Sequence, residues 1–129
     1  MRIGEIAAEA AMPVKTIRFW EEQGLLPEPE RTPSGYRDYR PEILTRLAFI
    51  RYAQGTGFTL GQIRQVLEIQ DSGDAPCEHV RRLIADRLAD VEARIAELNR
   101  TRRHLETLAR RATAQDPADC QGYCRILTA

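Results

Sequence analysis

Apolar residues recur along this chain at two different spacings, and the change between them divides it. From Met1 to Asp71 they fall into short helical stripes interrupted by glycine and proline. Arg2 to Glu9 places Ile3, Ile6 and Ala7 on one helical face, and Pro13 to Gln23 does the same with Val14, Ile17 and Trp20. Pro13 suits a first-turn position, where its missing N–H would have been unpaired anyway. Only Ala10, Ala11 and Met12 lie between the two stripes, so the pattern is that of a helix-turn-helix whose second helix is offered to a groove. Many helical hairpins share that pattern, and alone it is not specific.

Gly24 closes the second helix, and Pro27, Pro29, Pro33, Gly35 and Pro41 break up the segment after it. Within this stretch Arg31 to Arg40 alternates aromatic and arginine residues around a Pro33-Ser34-Gly35 turn signal, which reads as a hairpin-like wing. Arg31, Arg37 and Arg40 against Asp38 make it locally positive; a solvated loop would look much the same. Helix returns from Pro41 to Gly55, with Ile43, Leu44, Leu47, Ala48 and Ile50 as its expected buried stripe. Thr59 followed by Gln62 has the form of a capping box, opening a helix through Ile63, Val66 and Leu67 towards Asp71. Residues 1–72 are therefore expected to form one compact head.

Beyond Ala75 the spacing changes. Ile84, Leu88, Val91, Ile95, Leu98 and Leu105 follow alternating steps of four and three, with Arg102 as the one polar position. This is a heptad seam, which Cys77 extends backwards and Ala109 and Ala112 extend forwards. A helix of about 36 residues within 75–112 would be about 54 Å long, too long to be covered by so small a head. It calls for a second chain, and a homodimeric coiled coil is predicted. Asp116-Pro117 ends the helix and leaves a short tail over 113–129. The fold class is thus mainly α: a winged head, a long coiled-coil dimerisation helix and a C-terminal loop.

Charge narrows the reading only locally. Lys+Arg and Asp+Glu both total 19, so any nucleic-acid surface must come from clustering rather than from bulk charge. Lys15 is the single lysine, and arginine can fork onto phosphate or guanine as lysine cannot. No stretch has the roughly 18 apolar residues a membrane span requires, and no signal peptide is expected, so the expected location is cytoplasmic with no membrane partner. In that reducing compartment the odd count of three cysteines, Cys77, Cys120 and Cys124, argues against a disulfide framework and for metal or redox use. Cys77 falls in the first turn of the long helix, where free amides favour negative charge, and Cys120 and Cys124 flank a loop containing Gly122. Soft thiolates select ions such as zinc, cadmium, lead, mercury or monovalent copper. No nucleophile-base pair, phosphate loop or paired catalytic carboxylates suggest an enzyme.

Five linked motifs carry a resemblance. Arg2-Ile3-Gly4-Glu5-Ile6-Ala7, Thr16-Ile17-Arg18-Phe19-Trp20-Glu21, Gly24-Leu25-Leu26-Pro27, Gly35-Tyr36-Arg37-Asp38-Tyr39 and Gly57-Phe58-Thr59-Leu60 stand in this order and spacing. Together they resemble the MerR family of bacterial transcriptional regulators over almost the whole chain. Trp20 departs from the more usual tyrosine.

The resemblance implies a winged helix-turn-helix that binds double-stranded promoter DNA. Lys15 and Arg18 would lie near bases and phosphates, with Tyr36 and Arg37 on the wing against the backbone. Arg31 joins them on the wing, and Phe19 on the second helix is a further DNA-binding candidate, although helix-period aromatics such as Phe19 and Trp20 more often belong to a core. RNA polymerase would be influenced through the DNA. The resemblance also implies a metal site shared between subunits: Cys77 from one chain and Cys120 and Cys124 from the other, taking a soft divalent ion (zinc, cadmium, lead or mercury). Three sulfurs suit lead or mercury, whereas tetrahedral zinc or cadmium needs a fourth donor, for which His79, Asp116, Asp119 or water are candidates. Ala112 stands where the family's metal loop usually begins with cysteine. The function expected is metal-dependent promoter distortion that activates export or detoxification genes. A thiol redox-sensing regulator of the same family is the alternative.

Overall fold

The computed structural model describes residues 1–129 and resolves into two units, 1–87 and 88–129. In the first unit α1 (Ile3–Ala10) and α2 (Val14–Glu22) are joined by a turn whose only sharp bend is Ala11, at φ 53° in the left-handed region. A β-carbon makes that conformation costly, by roughly 1–2 kcal/mol. The bend is supported from outside: Arg51 donates to the Ala11 carbonyl at 2.9 Å, and Met12 N–H closes back on Ala7 at 3.0 Å. Pro13 caps α2 rather than opening it, one residue short of its expected first-turn place.

β1 (Glu30–Arg31) and β2 (Arg37–Asp38) pair antiparallel, with Glu30 opposite Asp38 and Arg31 opposite Arg37. Between them Thr32 holds the reversal, accepting from Gly35 N–H at 2.8 Å and donating to the Tyr36 carbonyl at 2.7 Å. Gly35 takes φ 86°, which a β-carbon would oppose. This short ribbon is the wing. The backbone N–H of Tyr39 then donates to the Met1 carbonyl at 2.7 Å, tying the ribbon's exit to the start of α1.

α3 (Ile43–Gly55) and α4 (Leu60–Asp71) complete the head. The capping box forms as expected, with Thr59 Oγ1 accepting from Gln62 N–H at 3.1 Å and Gln62 Oε1 from Thr59 N–H at 3.0 Å. The core is a single cluster centred on Ile6, Ile17, Leu25, Leu47, Ile50 and Ile63, all nearly inaccessible. Ile43, Leu47 and Ile50 form the buried stripe of α3; Ala48 lies one step round the helix and is exposed, contrary to the expected stripe. Arginines of α3 and α4 satisfy carbonyls left over at the end of α2. Arg46 donates to Leu25 O at 2.7 Å and Arg64 to Gln23 O at 3.0 Å. Arg46 also forks onto both oxygens of Asp71, at 2.8 and 2.9 Å, and that guanidinium holds the Asp71 carboxyl below the usual carboxylate range.

α5 (Cys77–Ala114) runs 38 residues and buries none of them. Its seam residues Ile84, Leu88, Val91, Ile95, Leu98 and Leu105 are each between 37% and 57% exposed, so the apolar stripe has no cover within the chain. Two short 3₁₀ turns, η1 (Pro117–Asp119) and η2 (Arg125–Leu127), follow it. Within the second unit Arg111 donates to the carbonyls of Ile126 at 3.0 Å and Thr128 at 2.6 Å, folding the tail onto the end of α5. No helix is long and apolar enough to cross a membrane.

Candidate functional site

α2 exposes Lys15, Arg18, Phe19 and Glu22 and buries Ile17 and Trp20. The two adjacent aromatics therefore part company. Trp20 is 3% exposed and central to the core, whereas Phe19 is 46% exposed and takes no part in the core cluster. A phenyl ring beside Lys15, four residues earlier on the same face, is an apolar contact point next to a cation. Trp20 takes the core place expected of it, while Phe19, the DNA-binding candidate, stays outside the core, because a 100° step carries consecutive helix positions to different faces.

The wing stands beside this helix. Arg2, Arg18, Arg31, Tyr36 and Arg37 line one shallow cleft of about 160 Å³. Arg31 donates to the Gly35 carbonyl at 2.9 Å, bracing the wing turn, and the Arg2 guanidinium stacks 4.7 Å from the centre of the Tyr36 ring. Four guanidinium groups round one concavity make an anion-binding surface out of a chain with no net charge. Arg2 was not among the residues the sequence singled out. It begins the first of the quoted motifs, but its place in the cleft becomes visible only once the wing lies over it.

Glu21 was missed as well. Its carboxylate, only 15% exposed, accepts from Arg37 Nε at 3.2 Å and from the Tyr39 hydroxyl at 2.8 Å. Burial, together with Glu21 beside it, pushes the Tyr39 hydroxyl up to about 12, so at neutral pH it remains a donor.

The thiols lie elsewhere. Cys77 is the first residue of α5 and is exposed. Cys120 ends the turn that Asp116 caps, and Cys124 precedes the last turn; Gly122 between them takes φ 73°. All three are free thiols. Three accessible sulfurs match the donor preference of a soft cation, yet no three Cys, His, Asp or Glu side chains converge within one chain. Of the candidate fourth donors, Asp116 already accepts from Ala118 N–H at 2.9 Å. His79 sits two residues from Cys77, which turns it about 200° round the helix, and its Nε2 is buried without a partner.

Comparison with known proteins matches the chain to two family models: MerR HTH family regulatory protein over residues 1–69 and MerR, DNA binding over residues 44–108. It is 40% identical to the HTH-type transcriptional regulator ZntR of Escherichia coli (strain K12) over 129 residues, 99% of this chain and 90% of that protein. It is 39% identical to the mercuric resistance operon regulatory protein of Bacillus cereus over 110 residues, 85% of this chain and 83% of that one. Among solved structures it resembles the transcription regulator PbrR691 from Ralstonia metallidurans CH34 in complex with lead(II), at a TM-score of 0.83 and 38% identity, covering 98% of this chain and 96% of that one.

Proposed function

This chain belongs to the MerR family of helix-turn-helix regulatory proteins, and on that premise we propose that it is a homodimeric transcription regulator that binds promoter DNA and responds to a soft divalent metal ion. The observation that carries the reading is the division of the thiols: a sulfur donor set that suits such an ion is present, and one chain does not assemble it. α5 at 38 residues is about 57 Å long, so Cys77 and the tail cysteines mark its opposite ends. Two copies packed antiparallel along the exposed seam bring Cys77 of each beside Cys120 and Cys124 of the other. A bound ion would there link two chains through thiolates and favour one dimer shape over another.

On the DNA side, Arg31, Tyr36 and Arg37 bind phosphates from the wing while Arg2 stacks on Tyr36 and keeps its ring upright. Lys15 and Arg18 reach base edges and phosphates, and Phe19 supplies an apolar contact of the kind a thymine methyl accepts. Bending a site of 20–30 base pairs costs about 1–6 kcal/mol, an amount that unequal affinity of the ion for two dimer shapes can offset. RNA polymerase senses the change through the altered promoter. The relatives' association with mercury and lead favours ion sensing over thiol oxidation. Lead or mercury fits the three sulfurs without help, while zinc or cadmium requires a fourth donor.

The test is metal-dependent transcription in a reduced system with the full-length protein. Cys77→Ser is expected to abolish induction while leaving DNA affinity within about twofold, and a chimaeric dimer pairing Cys77→Ser with a Cys120→Ser/Cys124→Ser chain is expected to keep one of its two sites. Induction surviving Cys77→Ser with every soft ion would reject the assignment.

A further inference from the structure

We infer that Glu21 is a positioning residue for operator recognition, holding wing residue Arg37 in fixed register with the recognition helix α2. The inference rests on the DNA-binding reading above and deepens it.

Glu21 lies on the last turn of α2, one helical turn beyond Arg18. Its carboxylate is the single point at which helix and wing are joined by side chains: one oxygen takes Arg37 Nε at 3.2 Å, the other the Tyr39 hydroxyl at 2.8 Å. Tyr39 is almost fully buried, so its hydroxyl is a fixed post, and Glu21 pinned to it cannot swing. Arg37 sits on β2 directly opposite Arg31. Engaging Nε leaves both terminal nitrogens of Arg37 without a partner in the chain, set in one plane and free to fork onto a phosphate. Arg18, Glu21 and Arg37 also line a second cleft beside the arginine-rimmed one, so the carboxylate belongs to the same face.

A carboxylate at such a face has two effects of opposite sign. Its charge repels phosphates and lowers affinity for any duplex, whereas its hydrogen bonds order the wing and favour the duplex whose phosphates fit. The signs separate the two effects experimentally. If charge dominates, neutralising Glu21 tightens binding to all DNA. If positioning dominates, the same change weakens binding to the operator and leaves binding to unrelated DNA unchanged or tighter.

The experiment uses the full-length dimer and two probes: the duplex it selects from a randomised pool, and a scrambled duplex of the same length and composition. Glu21→Gln is expected to lower affinity for the selected duplex about tenfold, the scale of one charge-assisted hydrogen bond, without lowering affinity for the scrambled one. In an Arg37→Gln background the Glu21→Gln change is expected to add less than about twofold, since the carboxylate acts through that arginine. Equal losses on both probes, unchanged affinity for the selected duplex, or full additivity with Arg37→Gln would each overturn the inference. Should Glu21→Gln fail to fold, Arg37→Lys keeps the charge and removes the Nε donor; the ratio of selected to scrambled affinity is expected to fall similarly, and an unchanged ratio overturns it. A wild-type dimer that selects no duplex would sink the DNA-binding reading itself.

Discussion

The head and the long helix use their apolar residues in opposite ways. In the head, 14 hydrophobic residues are buried and every stripe finds a partner inside the same chain. Along α5 the stripe is longer and more regular, yet none of its residues is buried. The head is a finished object, and the helix with its tail is half of one. The chemistry divides in the same way. The arginine-rimmed cleft is assembled by one chain from α1, α2 and the wing, while the sulfur donors converge on nothing within one chain. On the proposed function, such a regulator is sensitive to its ligand only as an assembly, because the ion's site would lie in the dimer interface.

That contrast breaks most completely at the seam. Ile95→Asp puts a charge into the interface twice, once per subunit, and is expected to weaken dimerisation by more than about a thousandfold, read by sedimentation. Head structure should persist in the resulting monomer; loss of both together would mean that the head is not self-sufficient. Leu47→Ala tests the other side. It opens a cavity in the fully enclosed core and is expected to cost about 2–5 kcal/mol in denaturant unfolding, whereas the same truncation of exposed Leu98 should leave the head's own transition untouched.

The two ends of the pH scale offer a finer probe of the head's internal bonding. Tyr39 has its folded value raised from 10.0 to about 12, so what its neutral hydroxyl contributes is fully present below pH 10 and is lost as pH rises towards 12. Unfolding measured across that window is expected to lose stability in wild type, and less steeply in Tyr39→Phe. Asp71 is shifted the other way by Arg46, so its contribution is present above the ordinary carboxylate range and disappears as acid titrates it. With an exposed carboxylate the acid effect should be the weaker of the two. Smallest of all is Ala11→Gly, expected to raise the head's stability by about 1 kcal/mol, because glycine accepts the left-handed bend without strain. No gain in melting temperature would mean that the Arg51 contact already offsets the strain.

Much of this organisation can be read from residue order, because it depends on neighbours a few positions apart. The helical stripes of α1 to α4, the Thr59–Gln62 capping box and the heptad seam are properties of local spacing, and apart from Ala48 in α3 they form where spacing places them. The exposed stripe also announces the need for a second chain before any coordinates do. What local order left open were the choices made by distant segments. The helical period assigned Trp20 inward but left open whether Phe19 would join it. Arg2 joined the wing cleft only because Tyr36 came to lie beside it. Glu21 met Arg37 and Tyr39 across 16 and 18 positions of sequence, and Arg51 reached Ala11 across 40. Sequence alone therefore determined which elements exist and that the chain needs a copy of itself. Tertiary structure decided which charged groups are held and which are free, since hydrogen bonds between remote side chains have no periodicity to betray them.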